Sequence, residues 1–252
     1  MSTARKVTQK AGPRRAPPRR RRLKPGPVLV LGSRDKRTVR EAVDRTCARL
    51  ERDFGIAAID LDHEIDPTAV KAAWAIVFGG DGAILSASRR MGERPIPVLA
   101  VNFGRLGFLT EVEYASLDDA LDRIRDGKAH VRERMRLTAQ VGEWRHTALN
   151  DVVVQGAMGG RLFRVAATIQ GREALRYAGD GIVIATPTGS TAYSLAAGGP
   201  ILDPEVEATV ITPLAAHALS QRPLVIPSYE KIELYLRERD PPGRVVVDGQ
   251  VQ

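Results

Sequence analysis

Asp81 stands between glycines in Phe78-Gly79-Gly80-Asp81-Gly82, directly after the apolar run Trp74 to Phe78. Glycines let backbone N–H groups come close to a phosphate and point at it. A carboxylate in such a loop would repel that anion, so it suits a hydroxyl or a metal better than phosphate alone. The bland alternative is a tight strand-to-helix turn with Asp81 as helix cap. A second stretch runs through Asp180-Gly181, the apolar Ile182 to Ala185, and Thr186-Pro187-Thr188-Gly189-Ser190-Thr191-Ala192-Tyr193-Ser194, then reaches Gly198-Gly199-Pro200. Six hydroxyl residues among Gly and Pro offer many donors and acceptors with little bulk, which suits ribose, amide and phosphate groups. The competing interpretation is a polar turn into a short helix. A third element is Asn150-Asp151 at the head of the apolar run Val152 to Val154. An Asn amide can pair two-point with an adenine edge, and a carboxylate can accept from ribose hydroxyls. Taken alone, it is no more than a strand entry.

Several chemistries are excluded by motif. There is no G-x-x-x-x-G-K-[ST] loop and no G-x-G-x-x-G. One cysteine and four scattered histidines cannot supply a zinc site. No G-x-S-x-G elbow is present. His217 reads as a structural histidine rather than a general base. Cys47 falls on the apolar face of a helix and reads as core. As the single cysteine it allows no internal disulfide and fits a reducing compartment. No apolar stretch is long enough to span a membrane.

The elements that would position these residues change character along the chain. Val28 to Leu31, Ile56 to Ile59, Trp74 to Phe78 and Pro97 to Val101 read as short strands. Between them lie helices, among them one with Val39, Val43, Cys47, Leu50 and Phe54 at spacings of three and four, stopped by Gly55. A helix over 116–125 is expected to be capped by Ser116 with Asp119 three residues on. Such alternation implies a parallel sheet with helices on its faces. After about residue 130 the texture is β-rich. The expected architecture is α/β plus β-rich: a three-layer α/β domain over 28–130 carrying the Gly-Gly-Asp-Gly loop, then a β-sandwich-like domain over 131–252. The net charge of +8 belongs to the start of the chain. Residues 1–27 hold ten Lys/Arg and no acid, and the remainder holds 28 basic against 30 acidic residues. With prolines among the arginines and little to bury, this segment is expected to be a disordered basic tail. Its contact with nucleic acid would be weak and electrostatic.

Together these residues resemble the NAD kinase family. Gly79 to Gly82 is similar to its GGDG loop, and Asn102 to Leu109 to its G-x-L-G-F-L segment. Asn150-Asp151 is similar to its Asn-Asp/Glu pair, Asp180 to Pro200 to its T-P-T-G-S-T-A-Y signature, and Asp248-Gly249-Gln250 to a later segment. The resemblance implies an enzyme that moves the ATP γ-phosphoryl group to the adenosine-ribose 2′-hydroxyl of NAD, giving NADP. It implies Asp81 as the catalytic acceptor and Gly79, Gly80 and Gly82 as the phosphate loop. It implies dinucleotide contacts from Gly82, Phe108, Asn150, Asp151, Arg161, Asp180, Thr191, Ala192, Tyr193, Ser194 and Gln250. ATP as donor, a divalent metal ion such as Mg²⁺ with unassigned ligands, a homo-oligomer, no membrane and a cytoplasmic location follow from the same likeness. It also implies a chain that continues beyond Gln252, the β-rich domain being incomplete there. Ala83 departs from the family, which commonly has Thr at that position. Two other readings share some of these features: a lipid or diacylglycerol-type kinase, which also carries GGDG, and a non-catalytic dinucleotide-binding protein with a nucleic-acid-binding tail.

Overall fold

A computed structural model describes residues 6–9, 21–94, 96–104, 107–157, 163–216, 221–236 and 242–251. Two short strands, β1 (Lys6–Gln9) and β2 (Arg21–Arg22), come first. Then follow β3 (Val28–Leu31), α1 (Arg37–Phe54), β4 (Ile56–Asp60), β5 (Trp74–Phe78), α2 (Asp81–Arg90), β6 (Val98–Asn102), β7 (Val112–Glu113), α3 (Leu117–Arg125) and β8 (His130–Val131). Within residues 18–132, one of two compact units, five strands form a parallel sheet in the order β4-β3-β5-β6-β7. Every residue of β3 and β5 is buried. Parallel strands covered on both faces read as unbroken apolar runs, which Val-Leu-Val-Leu and Trp-Ala-Ile-Val-Phe are.

Helix α1 buries Val39, Ala42, Val43, Leu50 and Phe54, and Cys47 packs half-buried beside them. It stops at Gly55, whose φ of +77° is one a side chain would resist. Phe54 meets Trp74 edge-on at 5.2 Å, and the Trp74 indole N–H donates to the Gly26 carbonyl at 3.0 Å. The α3 start differs from expectation. Ser116 makes no side-chain cap, because a 3₁₀ turn over Tyr114–Ser116 leads directly into the helix. In the parallel register, Leu31 pairs with Val77 and Phe78 with Val101. The Gly79 loop and the Asn102–Gly104 loop therefore leave the same edge of the sheet, the carboxyl end where open α/β sheets bind ligands.

Helix α2 is held at its far end by a buried ion pair. Arg90 donates to the Asp60 carboxylate and, at 2.6 Å, to the Ile65 carbonyl. The Asp60 side chain is 2% exposed. Burial pushes its carboxyl upward, but the Arg90 guanidinium and the backbone N–H groups of Glu64 and Ile65 hold it below its ordinary value. Arg90→Met is expected to destabilise the chain by about 3–5 kcal/mol, since it strands a buried carboxylate. Urea denaturation at neutral pH reads this directly. Because Asp60 is lowered, its contribution is present above the ordinary carboxylate range and lost as acid protonates it. The gap between variant and parent should therefore narrow at low pH.

The second unit comprises residues 133–252 together with 1–17. Its strands are β9 (Leu137–Val141), β10 (Trp144–Ala148), β11 (Asp151–Gly156), β12 (Phe163–Ile169), β13 (Arg172–Gly179), β14 (Gly181–Ala185), then after the short helix α4 (Tyr193–Ala196), β15 (Ala208–Leu214), β16 (Leu224–Pro227), β17 (Ile232–Leu236), β18 (Gly243–Val247) and β19 (Gln250–Val251). They form two antiparallel sheets, ordered β10-β9-β1-β17-β12-β13 and β16-β15-β14-β11-β18-β19. Leu137, Phe163, Val165, Ile232 and Leu234 of the first share one core with Val152, Val154, Ile182, Ile184 and Ile211 of the second. This is a sandwich, and its pleat puts Asp151, Val153 and Gln155 on the face of β11 turned away from that core.

Within the segment expected to be a disordered basic tail, Lys6–Gln9 pairs on both edges, Val7 opposite Val141 of β9 and Leu234 of β17. Arg21 and Arg22 pair with β8. Composition counts what a segment can bury, and β1 instead takes up two backbone hydrogen-bond ladders. Among the described residues, no helix is long and apolar enough to cross a membrane.

Candidate functional site

The Gly-Gly-Asp-Gly loop does not use its carboxylate as a cap. The residue capping α2 is Gly80, and Asp81 is the first residue of the helix. The Asp81 carboxylate instead accepts the Phe108 N–H at Oδ2 and the Leu109 N–H at Oδ1, each at 3.1 Å. Gly107 makes this possible. A Cβ there would lie 2.2 Å from Asp81 Oδ1. Thr110, itself buried, accepts the Gly107 N–H at 2.8 Å. The segment expected to pack on a nucleotide is thus the one that fixes Asp81. Each carboxylate oxygen keeps further acceptor capacity, so Asp81 is an immobilised acceptor at a helix N-terminus, where the dipole also favours anions. Phe108 is 72% exposed. Gly79 sits at φ +151°; Gly80 is half-buried and Gly82 exposed.

The second unit holds a cavity of about 290 Å³, close to the lower end for small-molecule sites. Asn150, Asp151, Ala192 and Tyr193 line it, as do Val153, Gln155, Val246, Asp248 and Gly249. The first four are among the dinucleotide contacts expected above. Asp248 was missed as a site residue, although the Asp-Gly-Gln motif contains it. It has φ +47°, a left-handed turn conformation that Asp tolerates. Its carboxylate accepts the N–H groups of Leu149 at 2.9 Å, Asn150 at 2.7 Å and Asp151 at 3.2 Å.

Asp151 and Asp248 are two neighbouring carboxyls, 5% and 9% exposed. Burial, with the Asp248 charge adding to it and the Tyr193 N–H opposing, pushes the Asp151 carboxyl up to about 7. A raised carboxyl contributes stability below its unfolded value that is lost as pH rises through the folded one. The chain is therefore expected to lose a few kcal/mol of stability from this group between about pH 4 and pH 7. Asp151→Asn removes that slope and melts higher than the parent at pH 8. Thermal melts of both proteins across this pH range check it.

Most hydroxyls of the 186–194 stretch are bonded within the protein, some inside the stretch and some to Leu149, Leu202 and Thr212. Thr186 Oγ1 donates to the Leu149 carbonyl at 2.6 Å and accepts the Gly189 N–H at 2.9 Å. Ser190 Oγ donates to the Pro187 carbonyl at 2.6 Å and accepts the Leu202 N–H at 2.9 Å. Thr191 Oγ1 donates to the Thr188 carbonyl at 3.2 Å. These bonds carry the turn that presents Ala192 and Tyr193. Ser194, expected to touch the dinucleotide, is fully buried and shares a 2.8 Å hydrogen bond with Thr212, outside the cavity lining. Its position two residues after Ala192 turns it inward on α4. Asp180 is exposed at the β13–β14 turn, Gln250 is exposed in β19, and neither they nor Thr191 line the cavity. Arg161 and His217 lie outside the described residues.

Among the described residues, no three His, Cys, Asp or Glu side chains converge as a cation would need. The side chains described supply no protein cage for a divalent metal.

Two family models match the chain. The ATP-NAD kinase N-terminal domain matches residues 32–129 and the ATP-NAD kinase C-terminal domain residues 149–252. A protein from Heliobacterium modesticaldum described as NAD kinase is 45% identical over 180 residues, 69% of this chain and 64% of its own length. The NAD kinase of Carboxydothermus hydrogenoformans is 36% identical over 230 residues, covering 89% of this chain and 81% of the relative. The chain spans just under two thirds of some relatives, 64% of the Heliobacterium protein and 66% of that from Geobacter sulfurreducens. Among solved structures, yeast NADH kinase complexed with NADH superposes with a TM-score of 0.81 at 26% identity, covering 91% of this chain and 77% of that one. An NAD kinase from Archaeoglobus fulgidus in complex with ATP gives 0.72 at 26% identity, covering 88% and 84%.

Proposed function

We propose, for a chain that belongs to the ATP-NAD kinase family, that it transfers the γ-phosphoryl group of ATP to the adenosine-ribose 2′-hydroxyl of NAD, giving NADP and ADP. The observation that carries this reading is the cavity in which Asn150, Asp151 and Tyr193 converge. An amide, a carboxyl and an aromatic ring are what an adenine edge, ribose hydroxyls and a base face require. Asn150 and Asp151 hold base and ribose, while Ala192 and Tyr193 line the dinucleotide. Phe108, Asp180, Thr191, Arg161 and Gln250 stay secondary contacts in this reading.

Asp81 accepts the proton of the attacking hydroxyl. The ribose oxygen bonds to the γ-phosphorus as the bridging bond to ADP breaks. Phosphoryl transfer has a loose transition state, so catalysis is chiefly positioning and charge neutralisation. A carboxylate fixed by two backbone N–H groups meets that need better than a mobile strong base. Gly80 and Gly82 supply N–H donors beside the α2 N-terminus for phosphate oxygens, and Gly79, whose own N–H donates to the Val101 carbonyl at 2.9 Å, shapes the phosphate loop. A homo-oligomer in the cytoplasm completes the reading. Light scattering on the purified chain tests the assembly.

The decisive assay incubates the purified chain with NAD, ATP and Mg²⁺ and follows NADP through an NADP-dependent dehydrogenase. Steady NADP formation is expected. Absence of NADP, with NAD binding retained, would turn the reading to a dinucleotide-binding protein without catalysis.

A further inference from the structure

We propose that Asp248 is the positioning residue of the dinucleotide cavity, clamping the Leu149–Asp151 backbone so that the Asn150 amide and the Asp151 carboxyl enter the cavity in fixed directions. This rests on the functional reading just given. The geometry assigns the role in three parts. Asp248 collects three successive N–H groups, those of Leu149, Asn150 and Asp151, on one carboxylate. Such charge-assisted bonds are stronger and more directional than neutral ones. The clamp is reciprocal, since the Asp248 N–H donates back to the Asp151 carbonyl at 3.0 Å. Asp248 also lines the cavity beside the two residues it orients.

The turn is braced from its other side. Thr186 donates its hydroxyl to the Leu149 carbonyl and its N–H to the Asn150 carbonyl, the latter at 2.8 Å. Residues 149–151 are thus gripped through their N–H groups by Asp248 and through two carbonyls by Thr186. Neither grip uses the Asn150 or Asp151 side chain, which stay available to a ligand.

The two acids divide their tasks by environment. Three N–H donors favour the ionised form of Asp248, whereas Asp151 faces one N–H, that of Tyr193, and the Asp248 charge. Below about pH 7 the proton of the pair resides on Asp151, which can then donate a hydrogen bond to a ligand oxygen or nitrogen as well as accept one. Removing the charge at 248 therefore changes both the direction and the protonation of Asp151, and a merely structural residue would not do the second.

The test measures NAD affinity by calorimetry without ATP, KM for ATP, and melting temperature, for the parent, Asp248→Asn and Asp248→Glu across pH 5 to 9. Asn cannot accept all three N–H bonds, and Glu keeps the charge on an arm of the wrong length. Loss of the Leu149 bond and of the charge behind the other two in Asp248→Asn, and displacement of all three in Asp248→Glu, predict about 10- to 100-fold weaker NAD binding in each, with KM for ATP within about twofold. The pH midpoint of NAD binding should move down in Asp248→Asn and stay near that of the parent in Asp248→Glu. A folded variant that binds NAD as the parent does overturns the proposal. So does a parallel loss of NAD and ATP parameters that tracks melting, or failure of both variants to fold, since either assigns Asp248 to the fold alone. A parent chain that does not bind NAD instead removes the functional reading beneath it.

Discussion

Asp81→Asn is expected to lower NADP formation by about 10²- to 10⁴-fold, the range for removal of a positioned proton acceptor. Two effects act together. The amide has one acceptor oxygen where the carboxylate has two, so its NH₂ group must face either the Phe108 or the Leu109 N–H. Both of those bonds are present at 3.1 Å in the parent. The 107–109 segment then loses an anchor as the proton acceptor disappears. NAD binding should change far less, because the cavity of the second unit contains no part of this loop. Stopped assays with saturating NAD and ATP, paired with calorimetry for NAD, separate the two. Parent-like turnover in a correctly folded Asp81→Asn protein would remove Asp81 from the chemistry.

Gly189→Ala should give the largest loss of stability of any single methyl addition considered. A Cβ there would lie 2.0 Å from the Asn150 carbonyl oxygen, 2.3 Å from its carbon and 2.5 Å from its Cα. Backbone on both sides cannot step aside as a side-chain tip can. The collision also falls on the turn that Thr186 and Asp248 hold. We expect a cost above about 4 kcal/mol, in the exceptional range for one substitution, seen as little soluble protein or a collapsed melting transition. Gly82→Ala is the control for melting alone. Its added methyl meets nothing within 4 Å, and inside α2 the change should raise stability by about 0.5–1 kcal/mol. Equal melting of Gly189→Ala and the parent would show that the turn does not approach Asn150 so closely.

Val28–Leu31, Trp74–Phe78 and Gly181–Ala185 were legible because strands buried on both faces are unbroken apolar runs bounded by glycine. Helix α1 was legible from its spacing and from Gly55. β13 was not, since Arg172–Gly179 is half exposed, carries charges at Arg172, Glu173 and Arg176, and owes its strand state to pairing with β12. β1 was invisible for the same reason, its partners lying far along the chain. At the site, Asn150, Asp151, Ala192 and Tyr193 could be named from motif order. Ser194 is buried against Thr212 and lies outside the cavity lining, which spacing alone does not tell, since it does not say which face of one helical turn points inward. Asp248 was passed over because its work is done on backbone N–H groups nearly a hundred positions away, and such groups carry no side-chain signature.

That separation bears on how the protein is born. The N–H groups of Leu149, Asn150 and Asp151 leave the ribosome 97 to 99 residues ahead of the carboxylate that receives them. At ordinary translation speeds this is a delay of roughly 5–20 s. Throughout it, the turn proposed to recognise the base exists without its clasp. A nascent chain should therefore be blind to dinucleotide until residue 248 has been added and folded back, so unfinished copies would not withdraw NAD from the pool that finished enzyme uses.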